Sequence, residues 1–144
     1  MRFMVIVPAN QESEAGVLPD EKIFAEMGKF NDEMVKAGIM LAAEGLQPTS
    51  KGARLKYTGG KVTVTDGPFT ESKELIAGFW LIQVKSKEEA IAWMKRAPFG
   101  GGVEIELRQV YEADDLGPGY TEKLREQEKR QRAQIASQQR SAKK

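Results

Sequence analysis

Thr58-Gly59-Gly60-Lys61 constrains the fold of this chain more than any other four residues. Two glycines between alternating apolar and polar runs specify a two-residue hairpin loop, whose central positions need positive φ. Folding there sets Tyr57 opposite Val62 and Leu55 opposite Val64 on one face. Lys56 then meets Thr63, and Arg54 meets Thr65, on the other. Both faces agree, so the register is pinned. Asp66 has the parity of Val62 and Val64, which turns a carboxylate toward the apolar side.

The hairpin sits inside a longer pattern. Arg2 to Val7 reads as a central strand, apolar on both faces. Asn10 to Gly16 reads as a polar loop. Pro19, Asp20 and Glu21 open a helix, and Ile23, Phe24, Met27, Phe30, Met34 and Val35 follow at helical spacing. Gly38 stops it. Ile39 to Glu44 is a second strand, ended by Gly45 and Pro48. After the hairpin, Ala77 to Lys85 is a strand with Trp80, Ile82 and Val84 on one face and Phe79, Leu81 and Gln83 on the other. Ser86-Lys87-Glu88-Glu89 is a capping box for a helix carrying Ile91, Trp93 and Met94. Val103 to Tyr111 is the last strand, with Glu104, Glu106 and Arg108 on one face.

Strand, helix, strand, hairpin, strand, helix, strand is a split βαβ pattern with an inserted hairpin. The expected fold is therefore α+β and ferredoxin-like. Both helices cover one face of the sheet. Phe79 and Leu81, with one side of the first strand, leave the other face apolar too. A second sheet packing there makes a homodimer. The domain is expected over residues 1–116. Residues 117–144 form a basic tail: a helix over 120–139 with no apolar stripe, capped by Thr121 after the Gly117-Pro118-Gly119 break, with Ser141 to Lys144 expected to be disordered. Residues 121–144 hold eight Lys/Arg against three Glu, a net +5. The rest, with 14 basic and 18 acidic residues, carries −4 and brings the chain to +1. The tail's signs alternate as far as Arg130 and no aromatics interleave, so a solvated helix is expected rather than a nucleic-acid arm.

Composition removes several chemistries. The chain has no cysteine and no histidine, so no thiolate, no serine–histidine triad and no imidazole metal ligand. No metal site and no cofactor are expected. The carboxylates lack a metal-binding loop pattern, and neither glycine run joins a strand to a helix through Lys-Ser/Thr as a phosphate loop does. No apolar run spans a membrane, and Phe3 to Pro8 is too short for a secretory core. A cytoplasmic location is the expectation.

Ala43-Glu44-Gly45-Leu46-Gln47-Pro48, then Asp66-Gly67-Pro68-Phe69 with Glu71, Lys73 and Glu74, then Gly78-Phe79, then Gly101-Gly102 leading to Glu106-Leu107-Arg108 resemble, in that order, elements of the DGPF, or YCII-related, family of bacterial proteins. The likeness spans residues 2–112. It implies a ferredoxin-like domain that dimerises into an α+β barrel, with a cleft near the signature. Relatives carry a histidine–aspartate pair that this chain lacks. Family members are often encoded beside extracytoplasmic-function sigma factors, which implies a regulatory partner.

Each candidate residue has a structural and a functional reading. Asp66 either accepts a backbone N–H from Phe69 or Thr70 in the turn, or is a catalytic proton carrier on an apolar face. Phe69, Glu71, Lys73 and Glu74 either form a solvated turn or rim the cleft, with Lys73 gripping an anion. Glu44 either caps backbone at its strand end or touches ligand. Glu106 and Arg108, with Glu104, either form a polar dimer seam or line a cavity between subunits. Three functions stay open: a dimer binding a small polar or anionic metabolite, a small enzyme using carboxylate acid/base chemistry, and an interaction protein acting through its tail.

Overall fold

The computed structural model describes residues 1–71 and 74–143. It divides into two compact units, Met1–Val110 and Tyr111–Lys144.

The first unit is built on a four-stranded sheet. Its strands are β1 (Arg2–Pro8), β2 (Met40–Gly45), β5 (Ile76–Gln83) and β6 (Glu106–Gln109), in the order β2-β5-β1-β6. Each adjacent pair is antiparallel. First and third strands sit side by side in the centre, with second and fourth at the edges, which is the ferredoxin-like order. The hairpin of β3 (Ala53–Thr58) and β4 (Lys61–Asp66) forms its own two-stranded sheet between β2 and β5 in sequence. Its register pairs Tyr57 with Val62, Leu55 with Val64 and Arg54 with Thr65, as the alternation requires, and Gly59 and Gly60 take φ of 54° and 80°.

Two helices cover one sheet face. Helix α2 (Glu21–Lys36) starts where the Asp20 carboxylate accepts the Ile23 N–H at 3.0 Å, and Gly38 ends it at φ 74°. Helix α3 is Lys87–Met94. Phe30 and Met34 of α2, and Ala90 and Met94 of α3, pack on Phe3, Val5, Trp80, Ile82 and Val84. Trp80 is the centre: its ring meets Phe30 and Phe99 edge-on, each at 5.9 Å between centroids. Its Nε1–H donates to Asn31 Oδ1 at 2.8 Å.

Several sequence expectations need correction. The Asn10–Gly16 loop contains a short helix, α1 (Gln11–Glu14). Asn10 Oδ1 accepts the Ser13 N–H at 2.8 Å, and Ser13 Oγ accepts the Asn10 N–H at 2.9 Å. The box at α3 is displaced by one residue: Ser86 Oγ accepts the Glu89 N–H, but the Glu89 carboxylate accepts from Lys85. The last strand begins at Glu106, which leaves Glu104 in the preceding loop. On α2, Ile23, Phe24 and Val35 are exposed, because the buried stripe narrows to Phe30 and Met34.

The second unit holds a 3₁₀ turn, Ala113–Asp115, and α4 (Glu122–Ala142). Thr121 Oγ1 accepts the Leu124 N–H at 3.4 Å. Arg125 donates to the Asp114 carboxylate at 2.8 Å and to the Ala113 carbonyl at 3.3 Å, which ties the first helical turn to the preceding segment. That hydrogen bond to Asp114 raises the guanidinium pKa. The Tyr120 hydroxyl donates to Glu128, and the hydrogen bond holds the phenol above its ordinary pKa. No residue of α4 is buried.

Candidate functional site: a cleft beside the Asp66–Phe69 turn

The segment 46–54 leaves the β2 edge and turns back along the signature. Pro48 opens a 3₁₀ turn, Thr49–Lys51, and this turn is the anvil on which the signature is bent. Thr49 N–H and Oγ1–H donate to the Glu14 carboxylate at 3.2 and 2.6 Å. Thr49 Oγ1 in turn accepts the Phe69 N–H at 3.0 Å. Gly67 N–H donates to the Gly52 carbonyl at 3.0 Å. Gly67 lies so close to Thr49 that a Cβ there would come 1.7 Å from the Thr49 carbonyl oxygen. Glycine is needed here for close approach of two backbones. The Gly67–Pro68 peptide is cis.

Phe69 is thereby held against the base of the hairpin. The Arg54 guanidinium lies over its ring, 3.9 Å from the centroid, a cation–π contact. Arg54 and Phe69 line a cleft of about 470 Å³ with Lys51, Gln47, Glu74 and Leu75. Two cations face one carboxylate among the described lining residues, so the cleft favours an anion.

The expected site residues do not converge on one place. Phe69 and Glu74 line this cleft. Asp66 pairs with Ala53 at the end of the hairpin and is exposed, as is Glu71, and neither lines a described cavity. The Phe69 N–H expected to bond Asp66 is taken by Thr49. Lys73 lies outside the described residues. Glu44 borders a different cavity, of about 230 Å³, with Ala43, Trp80 and Phe99. Glu106 and Arg108 pair with Ile6 and Met4 at the β6 edge. Their alternation places them with Phe79 and Leu81 on the face opposite the helices. Lys51 and Arg54 were missed as site residues. The signal was available: the hairpin register puts Arg54 at the hairpin's base, opposite Thr65 and beside the signature.

Among the described residues, no group of three or more His, Cys, Asp or Glu is placed to hold a metal ion, and no helix is long and apolar enough to cross a membrane. Residues 1–114 match the YCII-related domain, and the chain belongs to that family. It is 31% identical over 101 residues to the uncharacterized protein R00369 of Rhizobium meliloti (strain 1021), covering 67% of this chain and 82% of that protein. Among solved structures it is similar to 5-chloro-2-hydroxyhydroquinone dehydrochlorinase (TftG) from Burkholderia phenoliruptrix AC1100 in complex with 2,5-dihydroxybenzoquinone. That likeness covers 80% of this chain and 99% of that one, at 13% identity and a TM-score of 0.40. A likeness at that level carries no argument about the site.

Proposed function

We propose that the protein binds a small anionic metabolite in the cleft beside the signature turn. The observation that carries this reading is Arg54. Its guanidinium is fixed on the Phe69 ring at 3.9 Å while Arg54 lines the cleft. A stacked guanidinium keeps its N–H edge available for the fork-like recognition of carboxylate or phosphate. Lys51 adds a second, mobile charge. Asp66 is exposed and lines neither cavity, so the geometry favours binding over proton transfer.

The test is a thermal-shift panel of inorganic phosphate and small mono- and dicarboxylates. A true ligand at 100 times its Kd stabilises the fold by about 2.7 kcal/mol. At least one anion should raise Tm for the wild type. Arg54→Ala should lose the shift, and Arg54→Lys should retain only part of it, because lysine cannot reproduce the planar fork. An anion-dependent shift that survives Arg54→Ala would place the site elsewhere.

The assembly belongs to the same reading. Met4 and Ile6 of β1 alternate with the buried Phe3 and Val5, and Phe79 and Leu81 of β5 with Trp80 and Ile82. These four share the sheet face away from the helices, flanked by Glu106 and Arg108 on β6. A second copy is the proposed cover, with Glu106 and Arg108 as a self-complementary polar margin. Light scattering should find about twice the 16.0 kDa chain mass. Leu81→Glu should return it to the single-chain mass, since a buried unpaired carboxylate costs several kcal/mol. A wild-type particle of 16.0 kDa would overturn the dimer.

A further inference from the structure

The 230 Å³ cavity bordered by Glu44 has a chemistry unlike that of the signature cleft, and the two share no described lining residue. We infer that it is a second binding site, for a neutral single-ring molecule carrying one hydrogen-bond acceptor such as a carbonyl oxygen.

Its walls come from β1, α2, β5 and the segment after α3. Val7 of β1, Met27 of α2 and the Trp80 and Phe99 rings make an apolar slot beneath the end of the sheet. Its floor is the pair Gly45 and Gly78, directly opposite each other in the β2–β5 register. Two facing glycines leave out two side chains at a place where the next inward pair, Ala43 and Trp80, fills the layer. Gly78 has a backbone reason, since a Cβ would come 2.8 Å from the Glu44 carbonyl oxygen. Gly45 has none. A Cβ there meets nothing within 4 Å, and its φ is not positive. Gly45 is the last residue of β2, and the side chain it lacks leaves the floor of the slot open.

One polar group is aimed by the fold. Asn31 Oδ1 is occupied by the Trp80 indole N–H at 2.8 Å. That bond fixes which end of the amide is which, so Nδ2 keeps its two N–H donors, with no partner among the described residues. Glu44 is the one charged residue of the lining among the described residues. It pairs with Phe79, and the pleat sends both side chains away from the face that carries Trp80. Among the described residues no cation lines the slot, so the anions proposed for the signature cleft do not suit it. At 230 Å³ the volume lies below the roughly 300–1,000 Å³ of sites for drug-sized ligands. That limits the occupant to about one ring. Aromatic walls suit a flat face, and Met27 adds a polarisable sulfur.

Acetophenone is a suitable probe, neutral and with one carbonyl acceptor; toluene is its acceptor-free control. Titration of 15N-labelled full-length protein should shift the Trp80 indole and Asn31 side-chain amide resonances saturably at millimolar concentrations. Toluene should bind a few-fold more weakly, the worth of one ordinary hydrogen bond. Gly45→Val suits a strand and fills the slot from its floor, and should weaken acetophenone at least about tenfold. Arg54→Ala should leave this titration unchanged, so failure here and failure at the signature cleft are distinguishable. If Gly45→Val does not fold, Met27→Trp fills the slot from the helix side with the same expected loss. Absence of a saturable shift, undiminished binding in the filling variant, or equal affinity for toluene would each overturn the assignment.

Discussion

Trp80→Ala is expected to cost about 3–5 kcal/mol of folding stability. Trp80 is 5% exposed and stands at the middle of the inner sheet face. Its indole is the common neighbour of Phe30 from α2 and of Phe99 from the segment after α3. Truncation removes both edge-to-face contacts and opens a void beside the existing 230 Å³ cavity. Collapse of the void is resisted because the glycine pair on one side offers no side chain to move into it. Domains of this size have about 5–15 kcal/mol in total, so the urea midpoint should fall sharply with an unchanged slope. Trp80→Phe should lose less, since it keeps a ring for the aromatic contacts and gives up chiefly the bond to Asn31. A loss under about 1 kcal/mol for Trp80→Ala would show that the core does not centre there.

Gly67→Ala is expected to damage stability and anion binding together. The added methyl would overlap the Thr49 carbonyl, at 1.7 Å from its oxygen and 2.5 Å from its carbon. Both atoms are backbone, so no rotamer change relieves the clash, and the signature must move off the Thr49–Lys51 turn. Strain of this kind costs about 1–3 kcal/mol. The shift also separates the Phe69 N–H from Thr49 Oγ1 and unseats the ring beneath Arg54. The anion-dependent rise in Tm should therefore vanish even at temperatures where the variant is folded. Wild-type melting and binding in Gly67→Ala would mean that the two backbones are not in contact in solution.

What could be read from sequence followed a physical rule. Elements with a strong period were legible: the β3–β4 register from two-faced alternation, α2 from its cap and glycine stop, and the strand order from apolar runs joined by connections of restricted handedness. Elements below the length of a period were not. The four-residue α1 and the three-residue turn at Thr49 have too few positions to show a repeat; α1 depends on a local side-chain cap, and the Thr49 turn on the Glu14 carboxylate 35 residues away. The site was half legible for the same reason. Phe69 and Glu74 belong to a dense local signature. Lys51 and Arg54 reach the cleft only through the hairpin's closure, and Glu44 is parted from them because β2 ends between Glu44 and Leu46. Thr49, 20 positions away, took the Phe69 N–H, one of the two donors expected for Asp66 beside that of Thr70.

Every residue of β3 and β4 is exposed, and among the described strands the two pair only with each other. A two-stranded ribbon without a packed face is marginal by itself. Its opening is therefore expected to cost far less than unfolding the sheet, and its amides should exchange faster than those of the four-stranded sheet. Arg54 travels with this arm, whereas Leu75 and Ile76 on the other side of the cleft belong to the rigid sheet and its approach. In molecules where the arm opens, the Arg54–Phe69 contact and with it the cleft would be lost. An anion held by Arg54 draws on the closed fraction and enlarges it, so occupancy and ordering of the arm rise as one quantity.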